Sequence, residues 1–254
     1  MKQAFTPLSR ERGAGGESRI LEVCAGSIES IKAAYEGGAY RVELCSALSE
    51  DGLTPSVGMI RYAKSLEGLK VHVLIRPRCG DFVYTEDEVK CMEDDIRMCR
   101  ELSVDGVVIG ALTKDFDIDI KTCKRLVDAA VSGDDSRKMN ITFHRAFDVC
   151  RNPEDALEQI IALGCNRLLT SGQASSALRG IPMLKKLVGQ ADGRIIIMPG
   201  AGVNEQNAAQ ILDETGAMEI HGSARSTRVF GRLETDANIV RKIVENINPI
   251  ICLA

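Results

Sequence analysis

No stretch of this sequence approaches the roughly 20 consecutive apolar residues that a membrane-spanning helix needs. It also lacks a secretory h-region, a C-x-x-C pair, and any acidic or basic tail, and its formal net charge is only −4. The missing h-region and an odd number of cysteines, nine, predict a reducing, cytoplasmic setting. Without C-x-x-C, a zinc knuckle or a thioredoxin-like redox motif is not expected. Without a basic stripe, nucleic-acid binding is not expected either, and the Lys and Arg residues read as a mixed, solvated surface. Most cysteines should be small buried hydrophobes or inert surface thiols.

What is present is ordinary globular material, 44% hydrophobic and 27% charged over 254 residues, enough for one large core. Residues 1–18, which include Gly13, Ala14, Gly15 and Gly16, carry little periodicity and read as a disordered extension. Residues 19–254 read as a single domain, because no linker rich in Pro, Gly or Ser divides them.

Along that domain, β-like and helical patterns alternate eight times. The β-like runs cover 19–25, 40–46, 71–77, 104–112, 139–147, 167–172, 194–202 and 217–224. Between them lie helix signals. Ser27 with Ser30 opens a helix to about Tyr35, which Gly37 and Gly38 stop. Pro55 marks the next start, and Thr85 with Glu88 spells a capping box. Further helices are expected over about 119–131, 152–164 and 177–188, from Asn204 onward, and over about 234–247. Short strands separated by helices mean βαβ units and a parallel sheet, and eight right-handed repeats close into a TIM (β/α)₈ barrel. The rival, an open doubly wound sheet, suits fewer strands.

Side chains alternate faces along a strand, so each run splits into two sets. Leu21 and Val23 oppose Glu22 and Cys24, and Val42 and Leu44 oppose Glu43 and Cys45. Val71, Val73 and Ile75 oppose His72, Leu74 and Arg76; Ile141 and Phe143 oppose Thr142 and His144; Met218 and Ile220 oppose Glu219 and His221. The apolar sets must face the dry helix layer. The barrel interior therefore receives ionisable and thiol groups where Val, Ile and Leu are usual. Burying bare charge is costly, so these groups must pair, shift their pKa, or meet a ligand. A paired polar core, with Arg76 as partner of Glu22 or Glu43, is the structural alternative.

Three chemistries fit such an interior. Glycines after strands 7 and 8, in Gly200-Ala201-Gly202 and Gly222-Ser223, suit an anion such as phosphate at the strand ends. Around them, Glu219, His144, His221 and Arg145 are candidates for acid–base catalysis on a small anionic metabolite, with Thr170 and Ser171 nearby. Arg76, Arg78 and Asp81 border the mouth after strand 3, where an arginine suits a carboxylate or phosphate. Cys24 and Cys45 hold equivalent positions in adjacent strands, about 4.8 Å apart, and suit a soft cation such as Cu(I), held linearly or within a larger site. Zinc shared with His72 or His221 also suits the residue types, whereas Mg²⁺ lacks a carboxylate cluster.

LEVCAGSIES (21–30), RVELCSALSEDGLTPSVG (41–58), IRPRCGDFVY (75–84), TFHRAFDVCRNP (142–153), RLLTSGQ (167–173), PGAGVN (199–204) and EIHGSAR (219–225) resemble signature segments of the CutC family of copper homeostasis proteins. The resemblance spans about residues 19–225. It implies a TIM barrel, a cytoplasmic protein, and a homodimer or larger homo-oligomer. It further implies Cu(I) as the bound metal, with Cys24 and Cys45 matching the cysteines proposed as its ligands. Glycine is common in the family where Cys79 stands, which makes Cys79 a poor ligand candidate. An acid–base enzyme acting on a small anionic metabolite remains the alternative to copper binding.

Overall fold

A computed structural model describes residues 18–132, 139–227 and 232–249. The extension expected over 1–18 lies, except for Ser18, outside the described residues. Eight strands, β1 (Ile20–Ala25), β2 (Arg41–Leu44), β3 (Lys70–Leu74), β4 (Gly106–Ile109), β5 (Asn140–Phe143), β6 (Arg167–Thr170), β7 (Ile196–Pro199) and β8 (Glu219–Gly222), form one sheet. Every ladder is parallel, in the order β7-β6-β5-β4-β3-β2-β1-β8. Strands β7 and β8 lie side by side, so the ring nearly closes. Eight helices alternate with the strands: α1 (Ile28–Glu36), α2 (Val57–Lys64), α3 (Glu86–Glu101), α4 (Ile120–Val131), α5 (Pro153–Ala162), α6 (Ile181–Ala191), α7 (Ala208–Thr215) and α8 (Ala237–Ile247). This is the expected TIM (β/α)₈ barrel.

Local signals set most helix starts. The Ser27 hydroxyl accepts from the Ser30 amide to cap α1. Thr85 and Glu88 form the reciprocal capping box of α3, and Asn152 with Pro153 opens α5. Two starts differ from the sequence reading. Asn204 does not cap a helix; its Oδ1 accepts from the Gln206 and Asn207 amides in a turn, and α7 begins only at Ala208. Helix α6 begins at Ile181 rather than near Ala177. A short hairpin, β9 (Arg225–Thr227) with β10 (Leu233–Thr235), was not anticipated. It is tied back to α1, where Glu234 accepts from the Ser27 and Ser30 hydroxyls.

The face parity holds. Leu21, Val23, Val42, Leu44, Val71, Val73, Ile141, Phe143 and Ile220 are buried in the layer between strands and helices. Each such side chain contributes roughly 1.5–3 kcal/mol by leaving water. Met218 is the exception: it precedes β8 and is over a third exposed. Inside the ring, Cys24, Cys45, Leu74 and Val108 form a separate small cluster. Leu169 and Met198 also point inward, and Met198 lies against Arg41; polar groups fill much of the rest.

Candidate functional site

Strand register assembles the interior. Glu22 of β1 stands opposite Arg41 of β2 on one side and His221 of β8 on the other, while Cys24 stands opposite Glu43. Arg41 Nε donates to Glu22, and Arg41 Nη2 donates to Glu219. Arg167 reaches Glu219 from β6 with two donors, Nε at 2.6 Å and Nη2 at 3.0 Å. His221 Nδ1 lies 2.9 Å from Glu22, and its Nε2 lies 3.6 Å from Glu43. The result is one buried chain, Arg167–Glu219–Arg41–Glu22–His221–Glu43, running along the barrel axis. Three carboxylates face two guanidiniums and one imidazole, so protonation of His221 balances it. That protonation is favoured. Burial opposes it, but Glu43, Cys24 and Glu22 together raise the His221 pKa well above the usual value.

The carboxylates respond to the same fields. Burial alone would raise Glu22, yet the Arg41 charge, with His221 and His72, holds it well below the ordinary range. For Glu43 burial wins: with the Glu22 charge it raises the carboxyl against the pull of His221, Cys24 and Arg41. His72 lies 3.7 Å from Glu22 and is pushed down to about 3, first by burial and then by Arg41 and Arg167. It is a neutral imidazole at physiological pH.

At the end of the chain, Cys24 Sγ and Cys45 Sγ are 3.6 Å apart. Hydrogen bonding to Cys45, then burial and the Glu43 charge, raise the Cys24 thiol well above its usual pKa. Single ligand atoms of Cys24, Glu43 and His221 all lie within 4.8 Å of one another, and all three residues are buried. Thiolate, imidazole and carboxylate together suit a soft or borderline ion. Two metal–sulfur bonds of about 2.3 Å in line would need about 4.6 Å between sulfurs. The observed spacing therefore corrects the linear expectation: as placed, the thiols suit an ion off the line joining them, toward His221 and Glu43. The other described cysteines play no part here. Cys79 and Cys91 are exposed, while burial pushes Cys99 and Cys165 up to about 12.

The other expected site residues fall into separate places. Glu219 begins β8 and is locked between Arg41 and Arg167 at the barrel floor, away from the strand ends. Arg76 lies beyond β3 and does not pair with Glu22 or Glu43; its guanidinium donates to the carbonyls of Glu50, Gly52 and Gly80. Arg78 is bound by Asp81, Glu88 and the Val83 carbonyl. Arg145 pairs with Asp148, which also accepts from the Thr170 hydroxyl and the Ser171 amide. Thr142 is fully buried in β5, its hydroxyl without a partner. After β7, the Gly200 amide is committed to the Thr170 carbonyl, while Ala201 and Gly202 adopt left-handed backbone with φ of 89° and 68°. Gly222 packs beside Val203, and the Ser223 carbonyl accepts from Thr235.

Each histidine lies over a glycine of a neighbouring strand. A Cβ on Gly106 would stand 2.6 Å from His72 Nε2, and one on Gly110 would stand 2.5 Å from His144 Nδ1. At Gly200, a Cβ would come within 3.3 Å of the His221 Cβ. His144 Nδ1 accepts from the Ala146 amide, leaving Nε2 without a partner. Burial, then Arg76, hold this ring at about 3, so it too is neutral.

Comparison with known proteins agrees with the sequence resemblance. The profile of the CutC family matches residues 19–226. A CutC family protein of Parabacteroides distasonis is 55% identical over 217 residues, 85% of this chain and 86% of that protein. The human copper homeostasis protein cutC homolog is 46% identical over 230 residues, 91% of this chain and 81% of that protein. A solved CutC structure from Streptococcus agalactiae superposes with a TM-score of 0.75 at 35% identity, covering 81% of this chain and 98% of that one. Phosphoribosylanthranilate isomerase of Thermotoga maritima, at 12% identity and a TM-score of 0.56, shares the fold alone.

Proposed function

Since the chain belongs to the CutC family, we propose that it binds Cu(I) through Cys24 and Cys45, with Glu43, and His221 once the ion displaces its Nε2 proton, as the further donors within reach. The observation that carries this reading is the 3.6 Å approach of two buried thiols beside the Cys24–Glu43–His221 cluster. Thiolate selects soft cations over the hard ones that carboxylates alone would take. The buried site limits access to water, and the ion-pair chain beneath it fixes the His221 ring. The names of the human and mouse relatives, copper homeostasis protein cutC homologs, support the choice of metal. Anaerobic Cu(I) competition against a strong chelator tests it. The wild-type chain should take one Cu(I). The Cys24→Ser, Cys45→Ser double variant, which keeps size but loses the soft donors, should lose most of that affinity. Equal affinity in the two proteins sinks the proposal.

A second reading, acid–base chemistry on a small anionic metabolite at the same mouth, is favoured by one observation. His144 Nε2 and Arg76 Nε are both buried without hydrogen-bond partners, and Phe82 sits 5.1 Å from both the His144 ring and the Arg76 guanidinium. With Nδ1 accepting from Ala146, a neutral His144 carries its proton at Nε2 and would donate it to the substrate anion that Arg76 holds. Turnover or saturable binding lost in His144→Gln but kept in the cysteine double variant is the signature of this reading.

A further inference from the structure

One cavity of the barrel does not lie at the C-terminal strand ends. It opens at the opposite face, among the first residues of the strands, with a volume of about 520 Å³, within the size range of small-molecule sites. Its lining includes five cationic side chains, Arg41, Lys64, Lys70, Arg100 and Arg167, against two carboxylates, Asp105 and Glu219. Asp105 is shared by Lys64 at 2.8 Å and Lys70 at 2.9 Å, which leaves that trio with net positive charge. Arg100 has no carboxylate partner among the described residues; its one hydrogen bond goes to the Ala129 carbonyl. Lys64 and Arg100 also occupy the last turns of α2 and α3, where a cation opposes the helix dipole.

That dipole role does not extend to the inner wall. Arg167 is 5% exposed, and while Nε and Nη2 are spent on Glu219, Nη1 has no hydrogen-bond partner. His72, 2% exposed on the same wall, makes no hydrogen bond through Nδ1, which faces Glu22 at 3.7 Å. A buried donor left unsatisfied costs about 1–3 kcal/mol, and a guanidinium matches an oxyanion in geometry as well as charge. We propose that this cavity at the amino-terminal face of the barrel is a second binding site, for a small phosphate-type oxyanion, with Arg167 and Arg100 as its principal contacts. It is separate from the copper site and does not depend on it.

Isothermal titration of the full-length chain with inorganic phosphate, in chloride buffer at fixed ionic strength, tests the site. Saturable one-site binding is expected. Arg100→Gln and Lys64→Gln, both at the cavity rim, should each weaken it about tenfold, the effect of one lost charge-assisted hydrogen bond. Should one variant fold poorly by circular dichroism, the other carries the comparison. The Cys24→Ser, Cys45→Ser variant should bind phosphate as the wild type does, which keeps this test independent of the copper reading. A small phosphomonoester distinguishes the sources: tighter binding than phosphate points to a metabolite, equal binding to the free anion. Non-saturable heats, or undiminished affinity in both rim variants, would overturn the proposal.

Discussion

His221 Nδ1 stands 2.9 Å from Glu22 Oε1, and this contact joins the thiol cluster to the ion pairs beneath it. Glu22 thus faces two ways, toward Arg41 and toward the imidazole that sits beside Cys24 and Glu43. A ligand imidazole is oriented by what its other nitrogen meets, and losing that partner typically costs 10–100-fold in metal affinity. Glu22→Gln is therefore expected to weaken Cu(I) binding by at least about tenfold while leaving all four candidate ligands in place. Chelator competition reads this directly, and wild-type affinity in Glu22→Gln would exclude His221 from the site.

The ion-pair floor makes a stability prediction. Arg41 touches both Glu22 and Glu219, and all three are buried. Removing one partner of a buried pair strands charge, at about 3–5 kcal/mol, whereas an exposed pair is worth about 0–1 kcal/mol. Arg41→Met should lower the urea-unfolding free energy by several kcal/mol. Breaking the exposed Arg194–Glu158 pair with Arg194→Met should change it little. Similar small losses in both variants would mean that Glu22 and Glu219 find other partners or take up protons.

Much of this interior was legible before any coordinates. Alternation placed Glu22, Glu43, His72, His144, Glu219 and His221 inside because a strand repeats every two residues whatever its partners. The same rule carried two residues back from Glu43 turns Arg41 inward, and applied to β6 it turns Arg167 inward. Both were missed because a residue at a strand's first position gives no apolar contrast to read. Arg76 was assigned to Glu22 or Glu43 instead, since alternation cannot say where a strand stops; β3 ends at Leu74, and Arg76 turns to loop carbonyls. The cavity at the amino-terminal face had no local signal at all. Its walls come from strand starts and helix ends far apart in sequence, and only closure of the ring brings them together.

The neutral histidines predict acid sensitivity. His72 and His144 are held at about 3 in the folded chain by burial and nearby arginines, against about 6.5 when unfolded. Between those values the unfolded state binds more protons, so stability falls as pH drops, by about 1.4 kcal/mol per pH unit for each histidine. Above pH 6.5 neither contributes. Urea unfolding at pH 7, 6, 5 and 4 should show this decline beginning near 6.5, before carboxylates of ordinary pKa titrate. His144→Gln should remove one histidine's share of the slope, and an unchanged slope would locate the effect elsewhere.

The His144 ring occupies the space that a side chain at Gly110 would need. The three atoms nearest an added Cβ there all belong to the His144 ring, Nδ1 at 2.5 Å among them, so the ring would have to move. Gly106 differs, because its Cβ would meet the Asn140 carbonyl oxygen at 2.8 Å as well as His72. Overpacking of this kind costs about 1–3 kcal/mol. Gly110→Ala should be destabilising alone, and His144→Ala should relieve it, because the double variant removes the atoms that clash. The cycle should show a coupling of about 1 kcal/mol or more, the range for residues in contact. At Gly106, His72→Ala should relieve only part of the penalty, since the backbone oxygen cannot be mutated away. Additive losses at the Gly110–His144 pair would show that the imidazole does not lie across that glycine, and with it would go the neutral, unpartnered Nε2 on which the acid–base reading of the mouth rests.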